Sequence, residues 1–483
     1  MPERRLIFER TMSDQEALMW SLEQDPVLRS TFGQISFFDR PGDLGRLRDR
    51  LDRASRLVPR LRQRVVEPVG GLGPPEWVED PLFDLDYHVR RVAVPSPGTE
   101  RQLLDLAALL SSDPFDRARP LWQFTLIDGV GKGGALLGKL HHTITDGEGG
   151  VRLSSMFVDV ERNPTATLDG DDADAGDDDQ GNGDVDADRL ADALGRGPMA
   201  SVADGVLGGM RSGLDLARRA LSDTVAAVSN PGSVPDRAAG AVEASRSVLR
   251  QLAVTEPSRS PLWADRSLRR HLEVLSIPLE EVKLAAKALG GTVNDLFVTG
   301  AVGAAGAYHR AKGMPVDTLR MAMPISTRAK DEDAKGSGGN AFAPTRMLVP
   351  AGIEDPAERF AAVQQAIGAT RGEASLGLTD RLAGVLGVLP DALLVRVARQ
   401  QVGTVDFTTS NVRGAPFELY IAGAKVLANY PLGPMAGTAF NLTTLSYRGQ
   451  LDMGCLVDPA AVDDPALLRR CLVESYEELL ARG

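Results

Sequence analysis

Trp122–Gly147 reads WQFTLIDGVGKGGALLGKLHHTITDG, and the pattern is strand, turn, strand, then a polar block. Trp122–Ile127 is a short run rich in aromatic and β-branched residues. Asp128–Gly134 holds four glycines and breaks the run, and Ala135–Leu140 is apolar again. The spacing predicts a β-hairpin whose second arm delivers His141-His142-Thr143-Ile144-Thr145-Asp146-Gly147 from its carboxyl end. Only five histidines occur in 483 residues, so two side by side at a strand end mark a candidate general base. Alternation sends their side chains opposite ways, so one can face substrate while the other supports it.

Outward from this hairpin the chain mixes helix and strand. Upstream, a helix ends near Pro26, Phe32–Phe38 reads as a strand, and leucines recur at helical spacing over Leu44–Val58 and on toward Val66. A Gly/Pro-rich loop follows over Pro68–Pro75, then a strand over Tyr87–Val94 and a helix over Glu100–Leu110. Downstream, Gly147–Val158 begins a helix. Ten aspartates crowd residues 169–188, which predicts a self-repelling acidic loop. Its order of Asp, Asn and Gly does not fit a calcium loop. Residues 189–254 suggest two amphipathic helices broken by Pro231 and Pro235.

A second mixed segment starts near Pro261. His271–Pro278 is a strand and Glu280–Leu289 a helix closed by Gly290 and Gly291. Thr292 and Asp295 form a capping-box pair that opens a helix to about Lys312. Gly300, Gly303 and Gly306 recur every three positions, so one face of that helix can approach another backbone. Strands are expected at Leu319–Pro324, Ala341–Leu348, Asp406–Asn411, Ala424–Asn429, Thr438–Tyr447 and Leu451–Val457. Helices are expected at Asp380–Gln400 and Asp464–Leu480. The fold class is therefore α+β in two domains, residues 1–168 and 261–483, joined through the acidic loop 169–188 and a helical linker 189–260.

Composition narrows the function. A net charge of −12 argues against nucleic acid as a partner. Cys455 and Cys471 lack metal-like spacing and read as reduced thiols. The start of the chain does not read as a signal peptide, and no apolar stretch is long enough to span a membrane, which suggests a cytoplasmic protein with surface contact to lipid. No G-x-S-x-G elbow surrounds a serine, and no phosphate loop or dinucleotide fingerprint occupies the glycine-rich turn. The residues alone leave three readings of the histidine pair: a general base, a metal ligand, or a packed hydrogen-bonding pair. No third ligand stands at a helical spacing, so no metal is expected. The missing nucleophile favours direct attack by a substrate hydroxyl over a covalent enzyme intermediate.

The block His141-His142-x-x-x-Asp146-Gly147 resembles the HHxxxDG motif of the CoA-dependent acyltransferase superfamily. Further stretches, in order, resemble the bacterial wax ester synthase/acyl-CoA:diacylglycerol acyltransferase family. They are Pro120-Leu121-Trp122, Asn294-Asp295, Pro324-Ile325-Ser326-Thr327-Arg328, Gly339-Asn340 and Ser410-Asn411-Val412-Arg413-Gly414. The resemblance implies two chloramphenicol-acetyltransferase-like domains flanking a central substrate tunnel. It implies acyl-CoA as co-substrate, no permanently bound cofactor, and a long-chain alcohol or diacylglycerol as acceptor. His142 is implied to be the general base, supported by His141 and Asp146, with Arg328 a salt-bridge partner for Asp146 and Asn294 helping to position substrate. Gly147, Trp122, Asp295, Ser326, Arg328, Asn340, Ser410 and Asn411 are implied as binding or motif-support residues. Peripheral contact with a membrane or lipid droplet is implied as well. Two departures stand out. Leu28–Gly33 replaces the family's Pro-Met-His-x-Gly, and Arg413 stands where a proline is usual. The same fold can also serve another alcohol, an amine or a carrier-bound substrate, or a lipid-binding protein without catalysis.

Overall fold

The computed structural model describes residues 9–68, 74–145, 153–164, 258–326, 342–374 and 391–483. The acidic run 169–188 and nearly all of the expected helical linker lie outside the described residues, as do Asp146, Gly147, Arg328 and Asn340.

The first part of the chain forms α1 (Asp14–Leu22), β1 (Thr31–Phe38), α2 (Leu44–Leu57), β2 (Gln63–Val66), β3 (Glu76–Glu79), α3 (Leu85–His88), β4 (Val89–Ala93), α4 (Glu100–Ser112), β5 (Trp122–Val130) and β6 (Gly133–His141). The second forms β7 (His271–Pro278), α5 (Leu279–Ala288), α6 (Val293–Ala311), β8 (Leu319–Ser326), β9 (Phe342–Val349) and α7 (Pro356–Ala374). It continues through α8 (Asp391–Val402), β10 (Phe407–Arg413), β11 (Tyr420–Ile421), β12 (Ala424–Leu432), β13 (Phe440–Tyr447), β14 (Gln450–Val457) and α9 (Pro465–Leu480).

Two six-stranded mixed sheets organise these elements, which confirms the α+β class. The first runs β11-β12-β1-β6-β5-β4 and the second β7-β14-β13-β10-β8-β9. The hairpin is present as β5 and β6, antiparallel, with Trp122 opposite Leu140. β1 covers the other edge of β6 and sets Thr31 opposite His141. The first sheet also takes β11 and β12 from late in the chain, with β12 antiparallel to β1. A shared core of Ile35, Leu103, Leu137, Leu272, Val274, Leu432 and Leu456 welds the two sheets. Polar pins cross there too. The Asn429 N–H donates to Asp452 (2.7 Å), and the Ser36 hydroxyl donates to the Asn429 side-chain oxygen (2.9 Å).

Local chemistry explains where the observed elements differ from the expected ones. Residues 63–66, read as continuing a helix, form a strand paired with Glu76–Glu79. Pro59 opens a tight 3-10 turn that ends the preceding helix. The strand expected over Tyr87–Val94 begins only at Val89, because the Asp84 side chain accepts the Asp86 N–H and caps one helical turn first. The expected glycine face is real. A Cβ on Gly300 would lie 2.1 Å from the Tyr476 ring, and one on Gly306 2.0 Å from the Ala351 carbonyl. Cys455 and Cys471 are free and buried.

Candidate active site

His141 ends β6 and His142 follows it, so their side chains diverge as alternation requires. His141 is fully buried and held at both ring nitrogens. Its Nδ1 accepts the Thr143 backbone N–H (3.1 Å), and Thr143 Oγ1 lies 2.7 Å from the same nitrogen. The proton therefore sits on Nε2, which donates to Glu23 Oε2 at 2.9 Å. The same carboxylate oxygen accepts the Ser30 N–H at 2.8 Å. The Ser30 carbonyl in turn accepts the His142 N–H at 3.1 Å. Glu23 thus ties the start of β1 to the end of β6, holding the His141 ring directly and the His142 main chain through Ser30.

His142 is half-buried and its ring lies against Phe32, with centroids 4.5 Å apart. Burial pushes its pKa down to about 3, and the neighbouring His141 adds to the shift. The imidazole is neutral at physiological pH and can accept a proton. The two thiols offer no rival nucleophile. Burial raises the pKa of Cys455 and of Cys471.

The remaining sequence-selected residues separate into two groups. Trp122 is buried, with its indole N–H donating to the Leu61 carbonyl (2.7 Å) and its ring stacked on His88 (4.4 Å). It braces the hairpin. Asp295 accepts the Thr292 N–H (2.9 Å) and hydroxyl (2.8 Å), completing the box that starts α6. Asn294 stands beside it and accepts from Asn411 Nδ2 at 3.3 Å, which joins two motifs distant in sequence. Ser410 precedes Asn411 on β10, opposite Thr443. Ser326 ends β8, opposite Phe342. The histidine block belongs to the first sheet and the asparagine pair to the second half of the molecule. Among the described residues no cluster of three or more His, Cys, Asp or Glu side chains is arranged to hold a metal ion.

Glu23 is the residue that reading the sequence missed. A signal existed: it is the C-cap of α1, where a negative charge opposes the helix dipole unless another partner holds it. Phe32 was visible as the start of an expected strand and within a departure from a family pattern, without its contact to His142.

Comparisons with known proteins identify the family and the fold. A family described as the wax ester synthase/diacylglycerol acyltransferase catalytic domain matches residues 12–297, and its C-terminal domain matches residues 338–480. A putative diacylglycerol O-acyltransferase of Mycobacterium tuberculosis is 36% identical across 96% of this chain and 90% of its own length. A probable diacylglycerol O-acyltransferase of the same organism is 29% identical across 92% of this chain and 88% of its own. Among solved structures, a wax ester synthase/diacylglycerol acyltransferase from Marinobacter aquaeolei VT8 aligns with a TM-score of 0.64 at 19% identity, covering 98% of both chains. The first condensation domain of the calcium-dependent antibiotic synthetase shares the fold at a TM-score of 0.57 and 15% identity, over 99% of this chain and 97% of its own. The chain belongs to the wax ester synthase/diacylglycerol acyltransferase family of the CoA-dependent acyltransferase superfamily, and is an acyl-CoA-dependent O-acyltransferase.

Proposed function

We propose that the protein moves a long-chain acyl group from acyl-CoA to the hydroxyl of a long-chain alcohol or diacylglycerol, with His142 as general base. The observation that carries this reading is the placement of His142 at the end of the motif strand, its backbone N–H held by the Ser30 carbonyl and its ring against Phe32. His142 takes the hydroxyl proton as the oxygen attacks the thioester carbonyl. A carbon–oxygen bond forms, a tetrahedral oxyanion collapses, the carbon–sulfur bond breaks, and the proton passes to the departing thiolate. The products are an ester and free CoA, and no acyl group is carried by the enzyme. His141 supports the block; the roles of Asp146 and Arg328 rest on the family motif alone, since both lie outside the described residues. Asn294 and Asn411 position substrate from the second half.

Two chloramphenicol-acetyltransferase-like halves, residues 1–168 and 261–483, would enclose the acyl chain in a tunnel, with Gly147 keeping it open. The second half lends β11 and β12 to the first. No helix among the described residues is long and apolar enough to cross a membrane. Substrate delivery is assigned to peripheral contact on the cytoplasmic face of a membrane or on a lipid droplet, because both acceptors and the esters made from them are water-insoluble.

Incubation with palmitoyl-CoA and either hexadecanol or dioleoylglycerol tests the reaction. Ester and free CoA are expected in equal amounts, and intact-protein mass without acceptor should show no acyl adduct. A stable acyl adduct, or hydrolysis without ester, would refute direct transfer.

A further inference from the structure

One cleft beside the histidine block has a charge unlike the rest of the chain. Its volume is about 80 Å³, and it lies between the start of β1, the end of α4, the segment entering β7 and the segment leaving β12. Arg29, Lys139 and Arg270 line it, against a single carboxylate, that of the exposed Asp113. The lining thus carries an excess of two positive charges in a chain whose net charge is −12.

Among the described residues, Arg29 and Arg270 keep donors that no partner takes up, whereas the Lys139 ammonium lies over the Phe115 ring (4.9 Å) and contributes chiefly its charge. The Arg29 side chain makes no hydrogen bond or ion pair among the described residues. One guanidinium nitrogen of Arg270 donates to the carbonyls of Ser267 (3.0 Å) and Arg269 (2.8 Å), leaving its other N–H groups for a ligand. Lys139 is only 3% exposed, and its ammonium donates to the carbonyls of Leu110 (3.1 Å) and Asp113 (3.0 Å), two of its three donors. Burial lowers the pKa of Lys139 to about 8 and also lowers that of Arg270; Asp113 opposes the first shift and Asp458 the second, and the charge of Arg29 adds to both. Like charges gathered in a recess repel one another until an anion enters.

The cleft also adjoins the base. Arg29 precedes Ser30, whose carbonyl accepts the His142 N–H. Phe32 lines the cleft and lies against the His142 ring. Lys139 stands two residues before His141 and shares its face of β6, where Phe115 lies against both side chains. A polyanion tethered by a flexible arm to a group reacting at His142 fits this placement, and an acyl thioester of CoA is such a molecule.

We propose that this cleft binds phosphate groups of the CoA donor, with Arg29 and Arg270 as direct ligands and Lys139 as a supporting charge. The assignment of the ligand rests on the acyltransferase reading above; the anion site itself does not. Calorimetry on the full-length protein with CoA and with pantetheine, which lacks the whole 3′-phospho-ADP group, tests it, with adenosine added alone to read the part of the difference that is not phosphate. The wild type should bind CoA on the order of 100-fold more tightly than pantetheine, and R29Q/R270Q should bring the two to within about threefold. R29K/R270K, which keeps the charges but not the fork, should recover part of the difference. An unchanged CoA-to-pantetheine ratio in R29Q/R270Q, or equal weakening of both ligands, overturns the proposal. If phosphatidylglycerol vesicles lose binding in the variant while CoA does not, the phosphates belong to lipid headgroups and the donor assignment falls. A wild type that makes no ester yet keeps the Arg-dependent ratio would sink the acyltransferase reading and leave the anion site in place.

Discussion

At the residue scale, one imidazole does the proposed chemistry and another keeps it in place. With its pKa pushed down to about 3, His142 is in its base form throughout the neutral range. The sign follows directly: a protonated His142 cannot accept the hydroxyl proton, so activity falls only as pH drops toward the lowered value. We expect kcat/KM to be flat from pH 8 to about 6, with no acid limb near the ordinary histidine value of about 6.5. A limb centred near 6.5 in a pH–rate profile would show a solvated base instead. Glu23 makes a second prediction. Its Oε2 satisfies two donors, the Ser30 N–H and the His141 Nε2–H. Glu23→Ala leaves both without that acceptor, at a cost of about 1–3 kcal/mol each. It should also lower kcat by at least about tenfold through a displaced His142. Glu23→Gln retains an acceptor oxygen and should restore most of the kcat. Equal losses in Ala and Gln variants would mean that the negative charge, not the hydrogen bonds, matters.

At the scale of elements, the hairpin and the glycine-spaced helix were the most legible parts of the chain. Four glycines in a row of seven residues force a turn, and the apolar runs on either side have nowhere to go but into a sheet. The three-residue glycine spacing on α6 foretold a close approach, and Tyr476 of α9 occupies it. Gly300→Ala should therefore destabilise the protein by about 1–3 kcal/mol or more, read as a lowered urea midpoint at unchanged slope. A neutral substitution would show that α9 can withdraw at no cost. Other elements escaped because tertiary partners or local caps decide them. Gln63–Val66 has leucines and arginines before it at helical spacing, yet becomes a strand once Pro59 ends the helix and Glu76–Glu79 supplies a partner. The one-turn helix before Val89 depends on a single Asp84 cap.

At the scale of the whole molecule, the sequence announced two mixed-sheet units but not how they interlock. β12 leaves the second half and pairs with β1, so late residues complete the sheet that carries the histidines. Strand pairing between segments some four hundred residues apart leaves no local trace in composition or periodicity. The Ser36–Asn429–Asp452 chain of hydrogen bonds and the core around Ile35 and Leu432 are invisible for the same reason. The motif residues themselves were legible. Their contacts were not: Trp122 bonds the Leu61 carbonyl and Asp295 caps α6, while Glu23 and Phe32, which touch the histidines, lay outside the motif.

Everything proposed for the site depends on His142 removing the acceptor proton. Steady-state turnover of palmitoyl-CoA with hexadecanol by wild type and His142→Ala, with the urea midpoint of each measured alongside, tests it most directly. We predict that kcat falls by roughly 10²–10⁴-fold while the midpoint is retained. Turnover within a few-fold of wild type in a folded His142→Ala protein would contradict the account.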